Sequence, residues 1–391
     1  MVAPPPVQSD RRDVHYVPAL DGLRGVAILL VVFFHWSFDL PSGRLSDFFG
    51  HFRGGFVGVD VFFVLSGTLI TLLIMREIDR IGQFDWRNFY GRRALRLLPA
   101  AYVFIAACAV FVAFQPHLRL SQHFGWDALG ATFYYSNWVG YATAFYSSRL
   151  LAHTWSLAIE EQFYVVWPAL LVLVVRRLRA SAGLVVVAAG ACMCFGEFVW
   201  GEHHGWSEQR LNYSIDTRGG SLLLGCVLGL LLAHARLPTS DGARTAARWT
   251  ASLATALAVF AFARPEVMAQ RSISTLLIWT ALVTAILIVN IFMNPESAIT
   301  RALSTAPMTW LGRVSYSLYL WHALALVIVR PDGHPDWSPT RMFATQVVLM
   351  LAFTLFSYYC VEGFARRWRR RLAPRAPAGE RVRSIEESRG E

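Results

Sequence analysis

The stretch Asp21–Trp36, DGLRGVAILLVVFFHW, decides the fold. Ten consecutive residues, Gly25 to Phe34, are apolar or Gly, and with its flanks the run covers residues 17–37. That is about the 20 residues an α-helix needs to cross the hydrocarbon of a bilayer. Yet Arg24 stands near one end and His35 near the other. Eleven residues at about 100° each make three turns plus roughly 20°, so the two side chains share a helix face, about 16 Å apart along the axis. Asp21, three residues before Arg24, joins that face. Each has an ordinary reading. An Arg at the end of a span snorkels to the headgroups, and a lone helical His is usually a satisfied structural residue. But His35 lies far along the span, and ionisable groups at membrane depth mark functional sites by default.

The rest of the chain agrees with a membrane setting. Of its 391 residues, 55% are hydrophobic and 16% charged, against about 25% charged in soluble domains. Mean hydropathy is +0.41. The net charge of +10 comes entirely from Arg, since there is no Lys. These Arg residues cluster at the ends of apolar runs, where the positive-inside rule puts them, rather than forming the basic face of a nucleic-acid binder. Cys108, Cys192, Cys194, Cys226 and Cys360 all lie inside apolar segments, which argues against a disulfide framework. Cys192 and Cys194 are too close together, in too apolar a context, for zinc, and no metal site is expected. The start, MVAPPPVQSDRRD, is polar and Pro-rich, so the first apolar run reads as a retained span, not a cleaved signal.

Candidate spans are about 17–37, 55–75, 97–114, 153–175, 182–200, 217–234, 249–263, 273–293, 309–329 and 342–362. The run FGWDALGATFYYSNWVGYA at 124–142 is ambiguous. With ten spans, the Arg-rich segments 76–96, 176–179, 236–248 and 366–371 fall on the same side as Arg11 and Arg12. An eleventh crossing would move RRLR at 176–179 to the other side. The charge rule thus predicts an all-α polytopic bundle of about ten transmembrane helices, with 124–142 re-entrant or interfacial. It also predicts a multi-pass protein of the cell membrane with both termini cytoplasmic. Residues 1–14 and the basic tail 366–391 are expected to be disordered. Residues 15–365 form one membrane domain, with no loop long enough for a second.

Further chemistry-bearing groups sit at membrane depth. Asp60, in GGFVGVDVFFVLSG, lies near the outer end of span two, level with His35. A carboxylate there would fix the tautomer of His35; the plainer reading is a helix-capping acid. Arg93 and Arg96, in RRALRLLPA, share a helix face and suit phosphate binding or simple anchoring. In HTWSLAIEEQFYVVWP, Ser156, Glu160 and Tyr164 fall on one face, whereas Glu161 points to a neighbouring helix. An unpaired intramembrane Glu is costly, so Glu160 needs a counter-ion, for which Arg218 is placed. Ser315, Tyr319 and His322 form one stripe on the ninth span, either functional or a satisfied polar seam.

Taken together, LDGLRGVAILLVVFFH, GGFVGVDVFFVLSGTLI, RRALRLLPA, WSLAIEEQFY and LGRVSYSLYLWH resemble the ordered motifs of the acyltransferase 3 family over about residues 16–365. That family comprises bacterial membrane O-acyltransferases acting on sugar hydroxyls. The resemblance implies acyl-coenzyme A as donor co-substrate, no resident cofactor, and a sugar-bearing acceptor such as an envelope polysaccharide, a glycolipid or a glycosylated antibiotic. It implies His35 as the essential base. Asp60 and Glu160 join it in the catalytic set, and Arg24, Arg93, Arg96, Arg218, Ser66, Trp155, Tyr164, Tyr319 and His322 contact substrate. Arg218 or Ser66 would steady the oxyanion. Position 158 is Ala where the family motif usually has Ser, which removes a role for that position but not for Glu160. Some members carry a fused esterase-like domain that this sequence lacks, leaving the acceptor less constrained. The rival class is a proton-coupled transporter, which also needs intramembrane His, Asp, Glu and Arg. Its usual internal repeats are not evident in the sequence.

Overall fold

Ten helices long and apolar enough to cross a membrane form among the described residues, one for each expected span. The computed structural model describes residues 16–115, 123–142, 150–234, 237–264, 266 and 270–371. In chain order the helices are α1 (Pro18–Asp39), α2 (Arg44–Gly50), α3 (Gly58–Ile81), α4 (Trp86–Ala113), α5 (Phe124–Thr132) and α6 (Ser136–Ala142). There follow α7 (Thr154–Arg177), α8 (Ala180–His203), α9 (Glu208–Tyr213), α10 (Ile215–Ala233) and α11 (Asp241–Ala263). Last come α12 (Ile273–Met293), α13 (Ala298–Leu303), α14 (Ala306–Ile328), α15 (Pro339–Phe356) and α16 (Glu362–Arg371). A π-helical turn, Ser357–Val361, joins α15 to α16. The starts of α11, α12, α13 and α15 carry Ser N-caps whose hydroxyls accept a backbone N–H, satisfying one of the orphan donors there.

One expectation gains detail and another changes. Residues 124–142 do not cross. They form α5 and α6, broken at Tyr134, which sits in the left-handed region at φ 56°. Gln162 of α7 donates to the Tyr134 carbonyl and to Asn137 Oδ1, both at 2.8 Å. Gln162 lies eight residues into α7, so the break reaches about 12 Å below that helix's start, a re-entrant path. Residues 366–371, expected in the disordered tail, continue α16 as helix. Arg366 anchors that turn through Glu362 (3.3 Å) and the Tyr358 carbonyl (2.7 Å). Residues 1–14 and 372–391 lie outside the described residues.

The polar groups are enclosed by two tight helix pairs, α1 with α14 and α3 with α10. Glycine makes both approaches. A Cβ on Gly312 of α14 would stand 1.8 Å from the Asp21 carbonyl oxygen of α1. On Gly67 of α3 it would stand 2.0 Å from the Leu222 oxygen, and on Gly225 of α10, 2.2 Å from the Val64 oxygen. Small residues let backbones meet where lipid offers no hydrophobic drive to associate. Meanwhile α11 turns Leu253, Val259 and Phe260 outward, an apolar face fit for acyl chains. Gly225→Ala and Gly67→Ala should each cost about 1–3 kcal/mol through overpacking, lowering the thermal midpoint in detergent. Gly91→Ala, whose Cβ meets open space, should not. Equal midpoints for all three would show that this helix contact does not need glycine.

Candidate active site

Three cavities that share lining residues lie in series along α1 and α14. On the side that carries the start of α1 and the end of α16, a mouth of about 450 Å³ is lined by Arg24, Arg96, Arg313 and Arg366 with Asp21 and Glu362. A narrow middle chamber of about 90 Å³ shares Arg24, Arg96, Ser315 and Tyr316 with the mouth. A far chamber of about 340 Å³ shares Val59 and Tyr319 with the middle one and holds His35, His153, Trp155 and Arg218. Arg24 and His35, three turns apart on one face of α1, thus stand at opposite ends of the passage.

At the mouth, the Arg24 guanidinium lies 3.4 Å from Asp21, which also accepts the Tyr16 hydroxyl at 2.7 Å. Four guanidiniums against two carboxylates leave the mouth positive. Arg96 lines it as expected; Arg93 does not. Arg93 grips Glu161 with two hydrogen bonds, 2.9 and 3.2 Å, lies over the Tyr164 ring and approaches Glu160 at 3.9 Å. The expected pair of phosphate-facing arginines is therefore divided, one at the mouth and one neutralised inside. Glu161 does reach a neighbouring helix, α4. Glu160 accepts from Ser66 and Tyr164, each at 2.5 Å, so its nearest cation is Arg93 and not Arg218. Ser66 spends its hydrogen on Glu160 and lines the middle chamber, away from His35.

In the far chamber the predicted His35–Asp60 contact is absent. Arg218 donates to Asp60 Oδ2 and Ser221 to Oδ1, both at 2.9 Å, and the pair is buried at 1% and 3% exposure. A dry carboxylate is stabilised far more by a guanidinium than by a neutral imidazole, so Arg218 takes it. The Arg218 guanidinium also lies 5.3 Å from the Trp155 ring centre, and its Nε and Nη1 have no hydrogen-bond partner among the described residues.

His35 is oriented instead by its own helix. Its Nδ1 lies 2.8 Å from the Val31 carbonyl. A carbonyl oxygen only accepts, so Nδ1 carries the proton and Nε2 is left as a lone pair, the form a proton acceptor needs. His322 is held the same way, Nδ1 donating to the Tyr319 carbonyl at 2.6 Å, and its ring lies 4.7 Å from that of His35. The Tyr319 hydroxyl donates to the His153 carbonyl at 2.8 Å and meets Ser156 Oγ at 2.5 Å. Three lining residues were not singled out from the sequence. Arg313 and Arg366 pass for anchoring charges on helix ends, and His153 looks like a flank of the WSLAIEEQFY block. A signal for His153 existed, an imidazole at the end of an apolar span level with His35.

Comparison with known proteins identifies the family. YrhL of Bacillus subtilis (strain 168), whose name assigns it provisionally to peptidoglycan O-acetylation, is 35% identical over 360 residues, covering 89% of this chain and 54% of its own. The peptidoglycan O-acetyltransferase OatA of Listeria monocytogenes is 31% identical over 335 residues, covering 81% of this chain and 50% of its own. The chain thus spans about half the length of these curated relatives. No solved structure matches. The model of the acyltransferase domain family matches residues 17–362, nearly the whole membrane bundle, and the chain belongs to that family, acyltransferase 3.

Proposed function

We propose that this membrane protein is an O-acetyltransferase that takes an acetyl group from acetyl-coenzyme A at the mouth and gives it to a sugar hydroxyl of peptidoglycan at the far chamber. One observation carries the reading: cavities in series, each sharing lining residues with the next, run from an arginine-lined mouth to the chamber of an imidazole whose Nδ1 is held by a backbone carbonyl. The positive-inside rule makes the mouth cytoplasmic, the compartment of the donor. The named activity of OatA supports the acceptor class.

The division of cavities suits the two halves of the donor. Phosphates need several guanidiniums, and the mouth offers four. The middle chamber is too small for a nucleotide but suits a slender, uncharged arm. The separation of Arg24 and His35, about 16 Å along the helix, is comparable to an extended phosphopantetheine chain. The acceptor hydroxyl meets the thioester in the far chamber, where the unpartnered N–H groups of Arg218 and the face of Trp155 position the sugar. As the hydroxyl oxygen bonds to the carbonyl carbon, His35 Nε2 takes its proton. Collapse of the tetrahedral intermediate re-forms the carbonyl, breaks the C–S bond and returns the proton to the departing thiolate. The products are an O-acetyl ester and free coenzyme A.

Two expectations follow. His35→Ala should lower ester formation by roughly 10²–10⁴-fold, the usual worth of a positioned base, in a protein that still inserts and elutes as the wild type does. Near-normal turnover would remove His35 from the chemistry. Arg96→Ala with Arg313→Ala should raise the KM for acetyl-coenzyme A about tenfold or more, since a hydrogen bond to a charged group contributes about 1.5–3 kcal/mol. It should also flatten the dependence of that KM on salt. An unchanged KM would return both residues to anchoring.

A further inference from the structure

We propose that His153 is a further catalytic residue. Its ring N–H donates to the carbonyl oxygen of the thioester as the acceptor hydroxyl attacks, a role that rests on the acyl-transfer reading above. His153 immediately precedes α7 and is 6% exposed. By distance and angle neither of its ring nitrogens completes a hydrogen bond among the described residues, the Leu320 carbonyl being a near backbone neighbour. A neutral imidazole carries one N–H in either tautomer, so a donor stands unused in the wall of the far chamber.

The neighbouring rings explain why this donor matters. His35, His322 and His153 stand in file, with ring centres 4.7 Å apart for the first pair and 5.0 Å for the second. His35 and His322 have both committed their N–H to backbone carbonyls. Each offers only a lone pair. His153 is the member of the file that can give a hydrogen bond. Phe104 and Tyr319 hold its ring edge-on at 5.7 and 5.3 Å without using either nitrogen.

Its place is also the right one. Tyr319 belongs to the wall between the middle and far chambers, and its hydroxyl is bonded to the His153 backbone. The imidazole therefore stands beside the doorway through which the thioester arrives. Arg218 gives one N–H to Asp60 and lies against Trp155, and on the reading above its remaining N–H groups go to the sugar. In the addition step the carbonyl π pair moves onto oxygen, where the His153 N–H stabilises it, while the hydroxyl proton goes to His35 Nε2. Base and donor are thus separate imidazoles on one chamber.

The test is steady-state kinetics with acetyl-coenzyme A and an N-acetylglucosamine oligomer. His153→Leu should lower kcat by about 10²-fold or more, as loss of one oxyanion donor does, with the KM for acetyl-coenzyme A within threefold of wild type. His153→Ala should be equally slow and regain at least tenfold with added pyrrole, which has an N–H, but not with furan, which has the shape alone. The pyrrole and furan arms decide the matter even if the Leu variant does not fold. A kcat within threefold of wild type for His153→Leu, or equal rescue by furan and pyrrole, would overturn the assignment and leave the residue as packing. No ester from the wild-type protein would instead overturn the acyl-transfer reading, and this proposal with it.

Discussion

The ion pair between Arg218 and Asp60 sets the terms for the rest of the molecule. Both lie in the first turn of their helices yet are only 1% and 3% exposed, and a charge removed from water must be paired and hydrogen-bonded. Here the match is complete on the acid, with Arg218 on one oxygen and Ser221 on the other. It joins α3 to α10 on the same pair of helices whose backbones Gly67 and Gly225 bring into contact. Because Asp60 is consumed, His35 cannot use it. Its tautomer is fixed by Val31 one turn back, a device that adds no second charge to the chamber.

Legibility in the sequence followed the range of the interaction. The ten spans were readable because each is a run of apolar residues of bilayer length, and the Arg-rich segments fixed their number. The shared face of Arg24 and His35 was readable because helix geometry alone determines it. Partners were harder. Depth in the membrane placed Asp60 level with His35, but it equally placed Arg218 there, and the bundle's lateral packing chose between them. Arg93 and Arg96 show the same limit within one helix. Three residues differ by about 60° around the axis, enough to send Arg93 to Glu161 on α7 and Arg96 to the mouth. Sharing a face, in the loose sense a sequence allows, does not mean sharing a partner.

His153 marks a different limit. It belongs to no periodic pattern, because it sits where α7 begins. Its significance comes from two negative facts, that neither nitrogen is bonded and that its neighbours have spent their own donors. Only coordinates carry facts of that kind. Arg313 and Arg366 became visible for a related reason, since α14 and α16 approach α1 and α4 only once the bundle closes.

The placement of charge bears on why such a bundle suits group transfer better than ion conduction. Along the passage, guanidiniums are abundant at the mouth, matched by carboxylates in the middle, and tied to Asp60 at the far end. A conducted cation would meet fixed charges of its own sign at the mouth and a chamber of about 90 Å³ beyond. A donor whose anionic head stays at the mouth meets neither obstacle, since only its uncharged arm advances. On the proposed reading, desolvation would fall on a neutral thioester, which tolerates it, and not on phosphates, which do not. The far chamber sets the imidazoles of His35 and His153 beside Arg218, whose charge is matched by Asp60.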